Sequence, residues 1–237
     1  MRLFILAGAI FCLSSQAFAE PLLTPVQSNP RSLMEDTSHR IMAPPLIAAR
    51  LHQSGTVVIN VLVDLNGLAD DVAIGTSSGY SQLDAAALLD AQGWSFPVSG
   101  DVRQRTMAWR QVTVIFPPIS NEAPVKADAW PDDALMVTGA KIPSDFVLPK
   151  RQSAPSIGGY PPVARRKGQQ GSVTVEYVVG TDGWVENARI VKSSGYPLLD
   201  AEGLISCAFW EFSGPATKSG VPVQFRGIVN LIYKFSD

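Results

Sequence analysis

One segment occurs twice in this sequence, at a constant offset of 116 residues. Gly55 recurs as Gly171, Gly67 as Gly183, Ser77-Ser78-Gly79-Tyr80 as Ser193-Ser194-Gly195-Tyr196, and Leu83-Asp84-Ala85 as Leu199-Asp200-Ala201; Trp94 and Phe96 recur as Trp210 and Phe212. Matches that keep one offset through turns, helix and strand mark the copying of a single folding unit. The chain must fold as two similar small units, and whatever one unit does is either done twice or divided between them.

Each unit opens with a short proline-led helical segment: Pro44-Pro45 before Leu46-Ile47-Ala48-Ala49-Arg50, and Tyr160-Pro161-Pro162 before Val163-Ala164-Arg165-Arg166. Proline is accepted in a first helical turn, where its missing N–H has no partner to lose. A strand follows, with Val57, Ile59, Val61 and Val63 in the first copy and Val173, Val175, Tyr177 and Val179 in the second. Their period of two gives one buried face.

Asn66-Gly67 and Asp182-Gly183 are tight-hairpin dipeptides, with both central residues expected at positive φ. The second strand therefore returns antiparallel, with Leu68, Val72 and Ile74, or Trp184, Ala188 and Ile190, expected on its buried face. After the Ser-Ser-Gly-Tyr turn a helix begins, with Ser81 and Asp84 at capping-box spacing in the first copy and Pro197 in the place of Ser81 in the second. Trp94-x-Phe96 and Trp210-x-Phe212 return to period two, and a last strand closes each unit at Val112–Phe116 and at Ile228–Phe235.

The predicted class is α+β: two tandem small domains, each helix-strand-strand-helix-strand with a three-stranded antiparallel sheet covered on one face. The boundaries read as a signal peptide over 1–19, an N-terminal extension over 20–43, the first unit over 44–118, a linker over 119–156 and the second unit over 157–237. The linker holds prolines 124, 131, 143, 149 and 155, with Ala134–Val137 as a brief ordered segment. Proline stiffens such a segment, so it is expected to space the units, and each unit is expected to fold independently.

Residues 1–19 have the pattern of an export signal: Arg2, an apolar run from Leu3 to Leu13, then Ala17-Phe18-Ala19 before Glu20. The alternative is a retained membrane anchor. A bilayer-spanning helix needs about 20 mostly apolar residues, and Ser14, Ser15 and Gln16 interrupt this shorter stretch. Removal of 1–19 takes away Arg2 and leaves 18 basic against 21 acidic residues. Nucleic acid is excluded as a partner class, because phosphate attraction needs a basic surface. Cys207 is then the only cysteine, so stability comes from packing, and its helical spacing from Leu199 and Gly203 makes it an inert core residue.

Gly75-Thr76-Ser77-Ser78-Gly79 satisfies the G-x-S-x-G nucleophile pattern. Catalysis is nonetheless disfavoured: both histidines, His39 and His52, precede Ser77, whereas the hydrolase order places histidine last, and Val191 replaces the first glycine in the second copy. No catalytic residue, metal ligand set or cofactor motif is assigned.

Tyr160-Pro161-x-x-Ala164-Arg165, Gly171-x-Val173-x-Val175, Asp182-Gly183-x-Val185, Ser193-Ser194-Gly195, Leu199-Asp200 and Trp210-x-Phe212, taken in order, resemble the C-terminal domain of TonB proteins. Residues 44–116 match more weakly: Pro44 stands for the family's tyrosine, His52 for a glycine and Ala69 for a valine. The resemblance implies a periplasmic domain that pairs with an extended peptide of an outer-membrane transporter and couples it to an inner-membrane proton-channel complex. A self-associating scaffold, including a homodimer, is the alternative. The alternative location is an inner-membrane anchor with the domains facing the periplasm.

An added peptide strand satisfies the orphan backbone groups of a sheet edge. The last strand is expected at such an edge, which makes Ile228, Val229, Asn230, Leu231, Ile232, Tyr233 and Lys234 the candidate partner-binding surface, joined by the motif residues Tyr160 and Arg165. Two departures stand out. Only residues 20–43 precede the first unit, at most about 80 Å of extended chain. Phe209 and Glu211 flank Trp210 where the family often has arginines.

Overall fold

A computed structural model describes residues 33–125, 134–137, 142–153 and 159–235; the signal peptide expected over 1–19 lies outside them. The first copy comprises β1 (Leu33–Ile41), α1 (Leu46–Arg50), β2 (Gly55–Val63), β3 (Ala69–Thr76), α2 (Ser81–Ala91) and β4 (Ala108–Phe116). Between the copies lie β5 (Leu135–Val137), β6 (Phe146–Val147) and β7 (Arg151–Ser153). The second copy comprises α3 (Pro162–Arg166), β8 (Gly171–Val179), β9 (Val185–Lys192), α4 (Pro197–Cys207), β10 (Glu211–Phe212), β11 (Ala216–Lys218), β12 (Val221–Val223) and β13 (Phe225–Tyr233).

Alternation builds the central strands as expected: Val57, Ile59, Val61 and Val63 are buried, as are Val173, Val175 and Val179. The return strands depart from the expected pattern. Leu62 pairs with Asp71 but Val63 with Ala69, and Val178 pairs with Asn187 but Val179 with Val185. At this place an extra residue in each return strand, Asp70 or Glu186, makes a bulge that shifts the alternation, so Ala69 and Val185 take the inward places and Leu68 is exposed.

The hairpin turns also differ from expectation. Gly67 and Gly183 each have φ of 84°, while Asn66 and Asp182 stay at negative φ. Gly67 N–H donates to Asp64 O and Gly183 N–H to Gly180 O, so each loop has one left-handed glycine next to the returning strand rather than two left-handed central residues. The Asp64 carboxylate accepts from the Asn66 and Leu68 N–H groups, which holds its pKa below the ordinary carboxylate value.

Asp84 does not form the expected capping box with Ser81. It reaches back instead to accept from the Ser77 hydroxyl and from both N–H and hydroxyl of Ser78. Asp200 does the same for Ser193 and Ser194. Both carboxylates are buried, so the Ser-Ser…Asp repeat pins the strand-to-helix turn in each copy.

Each copy has the expected three-stranded antiparallel sheet, β4-β2-β3 and β13-β8-β9, and each gains a fourth strand from the segment before it. β1 runs parallel to β4, and β5 runs parallel to β13. The rest of the linker also lies on the second copy: β6 pairs with β11, β7 pairs with β10, and Lys150 O accepts from Ser213 N–H at 2.8 Å. The expectation that the linker spaces the copies is corrected. α2 packs on α4, and a single apolar core joins Leu83 and Leu88 of the first copy to Leu199 and Leu204 of the second. A unit of this size is marginal in the apolar surface it buries alone, and pairing the helical layers adds to it.

The contact is nearly two-fold. α3 of the second copy lies beside β3 of the first, and α1 of the first lies beside β9 of the second. Gln82 donates to Ala188 O at 3.0 Å, Val163 N–H donates to Gln92 Oε1 at 3.0 Å, and Arg166 donates to Ala69 O at 2.9 Å. Glu202, where the first copy has Ala86, is buried in α4, and burial pushes its carboxyl pKa up to about 7. Cys207 is fully buried in the shared core and its thiol is pushed up to about 12, as an inert packing residue requires.

Candidate functional site

The two three-stranded frames have four lateral edges, at β3, β9, β4 and β13, and the chain treats them differently. On the β3 edge, Arg166 bonds Ala69 O and Lys167 pairs with Asp71. On the β9 edge, Gln82 bonds Ala188 O, and Arg50 pairs at 3.5 Å with Asp182 in the turn before the strand. β1 lines the β4 edge, with Leu33–Glu35 opposite Trp109–Gln111 and His39–Ile41 opposite Thr113–Ile115. The fourth edge is different. β5 pairs only with Phe225, Arg226 and Gly227, and among the described residues no strand pairs with the outer side of 228–233. An unpaired stretch of this length offers backbone donors and acceptors to an extended peptide.

The side chains along this edge fall into two rows. Ile228, Asn230 and Ile232 are exposed, Ile228 by 42% and Ile232 by 67%. Val229, Leu231 and Tyr233 are half-buried against the core. Burial raises the Tyr233 hydroxyl pKa, so the ring is a neutral packing element. Tyr160 stacks on Phe235 with ring centroids 5.0 Å apart, meets Tyr233 edge-on at 5.8 Å and donates its hydroxyl to Gln169 O. Tyr160 thus fastens the end of the edge strand, while Arg165 sits exposed at the last turn of α3. Lys234 follows the strand's last residue.

Beneath the exposed row lies a charge cluster that sequence reasoning missed. Glu176, 2% exposed and opposite Ile228, accepts from Arg226 at 2.5 Å and from Arg189 at 2.6 Å. Two guanidinium groups share this one carboxylate. At the equivalent place in the first copy stands Asn60, which accepts from Gln111 at 3.3 Å, a neutral pair. The signal in the sequence was Glu176 at an alternating strand position otherwise held by Ser172, Thr174 and Val178, but its partners come from two other strands.

The tryptophans keep a cationic neighbour despite Phe209 and Glu211. The Arg40 guanidinium sits 4.4 Å from the Trp94 ring and that of Arg151 4.5 Å from Trp210, each supplied by the segment preceding its copy. Ser77 of the G-x-S-x-G pattern donates to Asp84, and His52 is engaged by the Ser120 hydroxyl at 2.8 Å and the Glu122 carboxylate at 2.9 Å.

The sequence matches the model of a family described as Gram-negative bacterial TonB protein C-terminal in two segments, 45–118 and 159–235. Among solved structures, the chain is similar to the TonB C-terminal domain of Pseudomonas aeruginosa determined in solution by NMR. That likeness has 22% identity and a TM-score of 0.30, over 40% of this chain and 90% of that one. No curated protein matches the chain.

Proposed function

We propose that this chain, which belongs to the Gram-negative bacterial TonB C-terminal family, is a periplasmic docking module that pairs an extended peptide of an outer-membrane transporter with the 228–233 edge of β13 and so takes part in energy-dependent transport. The observation that carries the reading is the contrast between two equivalent edges: β1 lines β4 as far as Ile115, whereas among the described residues no strand lies on the outer side of 228–233. Main-chain pairing supplies affinity in this mode of recognition, and alternate side chains supply choice. Ile228 and Ile232 favour an apolar residue on the outer row of the peptide. The reading is non-enzymatic and needs no cofactor. Export through cleavage before Glu20 accompanies it, and coupling to an inner-membrane proton-channel complex is its most distant element.

The experiment is amide exchange with and without a transporter's periplasmic peptide. Protection is expected to rise along 228–233 and to change little in β4. Successive backbone N–H groups in a strand point to opposite sides, so one of Leu231→Pro and Ile232→Pro removes a donor from the open edge and the other a donor to β8. The first is expected to abolish peptide binding in a folded protein. Protection of neither copy, together with a peptide-independent dimer in sedimentation, would sink the docking role and favour self-association.

A further inference from the structure

The β4 edge is the counterpart of the open β13 edge. β2 meets β4 through Val57↔Val114 and Ile59↔Val112, and β8 meets β13 through Val173↔Leu231 and Val175↔Val229. Thr113–Ile115 therefore corresponds to Asn230–Ile232, the middle of the unpaired stretch. In the first copy His39–Ile41 fills that place.

We infer that residues 33–41 are a built-in occupant of a second strand-accepting edge: β4 is able to take an extended segment in parallel, and β1 holds that place closed in the free chain. The inference rests on the docking reading for β13 and extends it to the first copy. Four observations carry it. β1 is attached to one neighbour only, and its register breaks between Glu35 and His39, so it pairs in two short runs rather than one. Ile41 is 75% exposed, so its side chain adds little apolar anchorage to the C-terminal run. β4 keeps nine partners on β2 whether or not β1 is present, with Val112, Val114 and Phe116 buried on the inner side. The second copy supplies the internal control, since among the described residues no strand lies on the outer side of β13 over the corresponding stretch, and β13 is nonetheless a regular strand on β8. A strand that its sheet does not require, held by main-chain pairing at an edge, opens at lower free energy than the strands beneath it.

The probe is a synthetic nonapeptide with the sequence of residues 33–41, added to the full chain and to a variant lacking residues 20–41. The variant is expected to bind one nonapeptide at the β4 edge, with amide exchange at Thr113–Ile115 slowed at least tenfold. The full chain is expected to show no binding there. Because the probe is the chain's own segment, failure on β4 is distinguishable from failure of a transporter peptide on β13. A folded variant that leaves the nonapeptide unbound would overturn the inference. Where the variant fails to fold, native-state exchange in the full chain decides: amides of 39–42 are expected to open in urea well before those of β2. Opening of both only by global unfolding would make β1 a permanent fourth strand.

Discussion

The β4 and β13 edges are the same edge in two copies of one unit, and they differ in what lies beside them. On β4 the chain lays down His39–Ile41; on β13 the added strand ends at Val137, against Gly227. Beneath β4 sits the neutral pair of Asn60 and Gln111, beneath β13 the triad of Glu176, Arg189 and Arg226. Duplication preserved the three-stranded frame and let the edges diverge. A frame is held by many buried contacts that change together at great cost, whereas an edge is held by a few main-chain bonds and is free to change.

The comparison breaks most completely where the copies are separated. Residues 157–237 expressed alone lose the α2 face against α4, together with β5, β6 and β7. The fragment is expected to lack a cooperative urea transition and sharp near-ultraviolet dichroism, while the full chain has both. A cooperative fragment would mean that the shared core is dispensable.

The buried clusters sharpen it next. Glu176→Ala removes the carboxylate that Arg189 and Arg226 share and is expected to destabilise the protein by about 3 kcal/mol, the lower end for breaking a buried ion pair because both arginines reach water. Asn60→Ala in the first copy removes a neutral hydrogen bond and is expected to cost about 1 kcal/mol. Equal losses in chemical denaturation would show that the triad adds nothing beyond the amide pair.

Glu202 is expected to give the second copy a pH response that the first lacks at this position, where Ala86 stands. Its folded-state pKa of about 7 lies above the unfolded value of 4.5, so the native state binds the proton more tightly. Stability from this group is complete below pH 4.5 and is lost as pH rises through 7. The loss amounts to about 3 kcal/mol, from the size of the shift. Glu202→Gln is expected to flatten the unfolding midpoint between pH 5 and about 8; an unchanged slope would remove Glu202 as the cause. Tyr233, Asp200 and Cys207 face the same region and are to be compared in the same titration.

The smallest difference concerns the turn after each leading helix. His52 and Gly168 occupy one position, both left-handed, at φ of 52° and 64°. A Cβ at Gly168 meets no atom within 4 Å, so Gly168→Ala reports backbone strain alone, about 1 kcal/mol lost. His52→Gly relieves that strain and gives up the contacts to Ser120 and Glu122, for a net change under about 1 kcal/mol. A thermal midpoint that moves more for His52→Gly than for Gly168→Ala would show that those contacts, not the backbone, set the turn.

Much of one unit was determined by residues close in sequence. The repeat at one offset, the period-two valines, the glycine turns and the motif from Tyr160 to Phe212 specify helix, strand and hairpin, because each depends on neighbours within a few residues. Ala134–Val137 was legible as an ordered segment, and Leu135–Val137 became β5. Tertiary structure alone decided the rest. Residues 33–41 carry no clean alternation, and they form a strand only because β4 offers unpaired N–H and C=O groups. The Arg189–Glu176–Arg226 cluster joins three strands and the α2–α4 contact joins two copies, so neither leaves a local pattern. Which edges stay open followed from what covers the others, a property of the assembled chain that no single segment encodes.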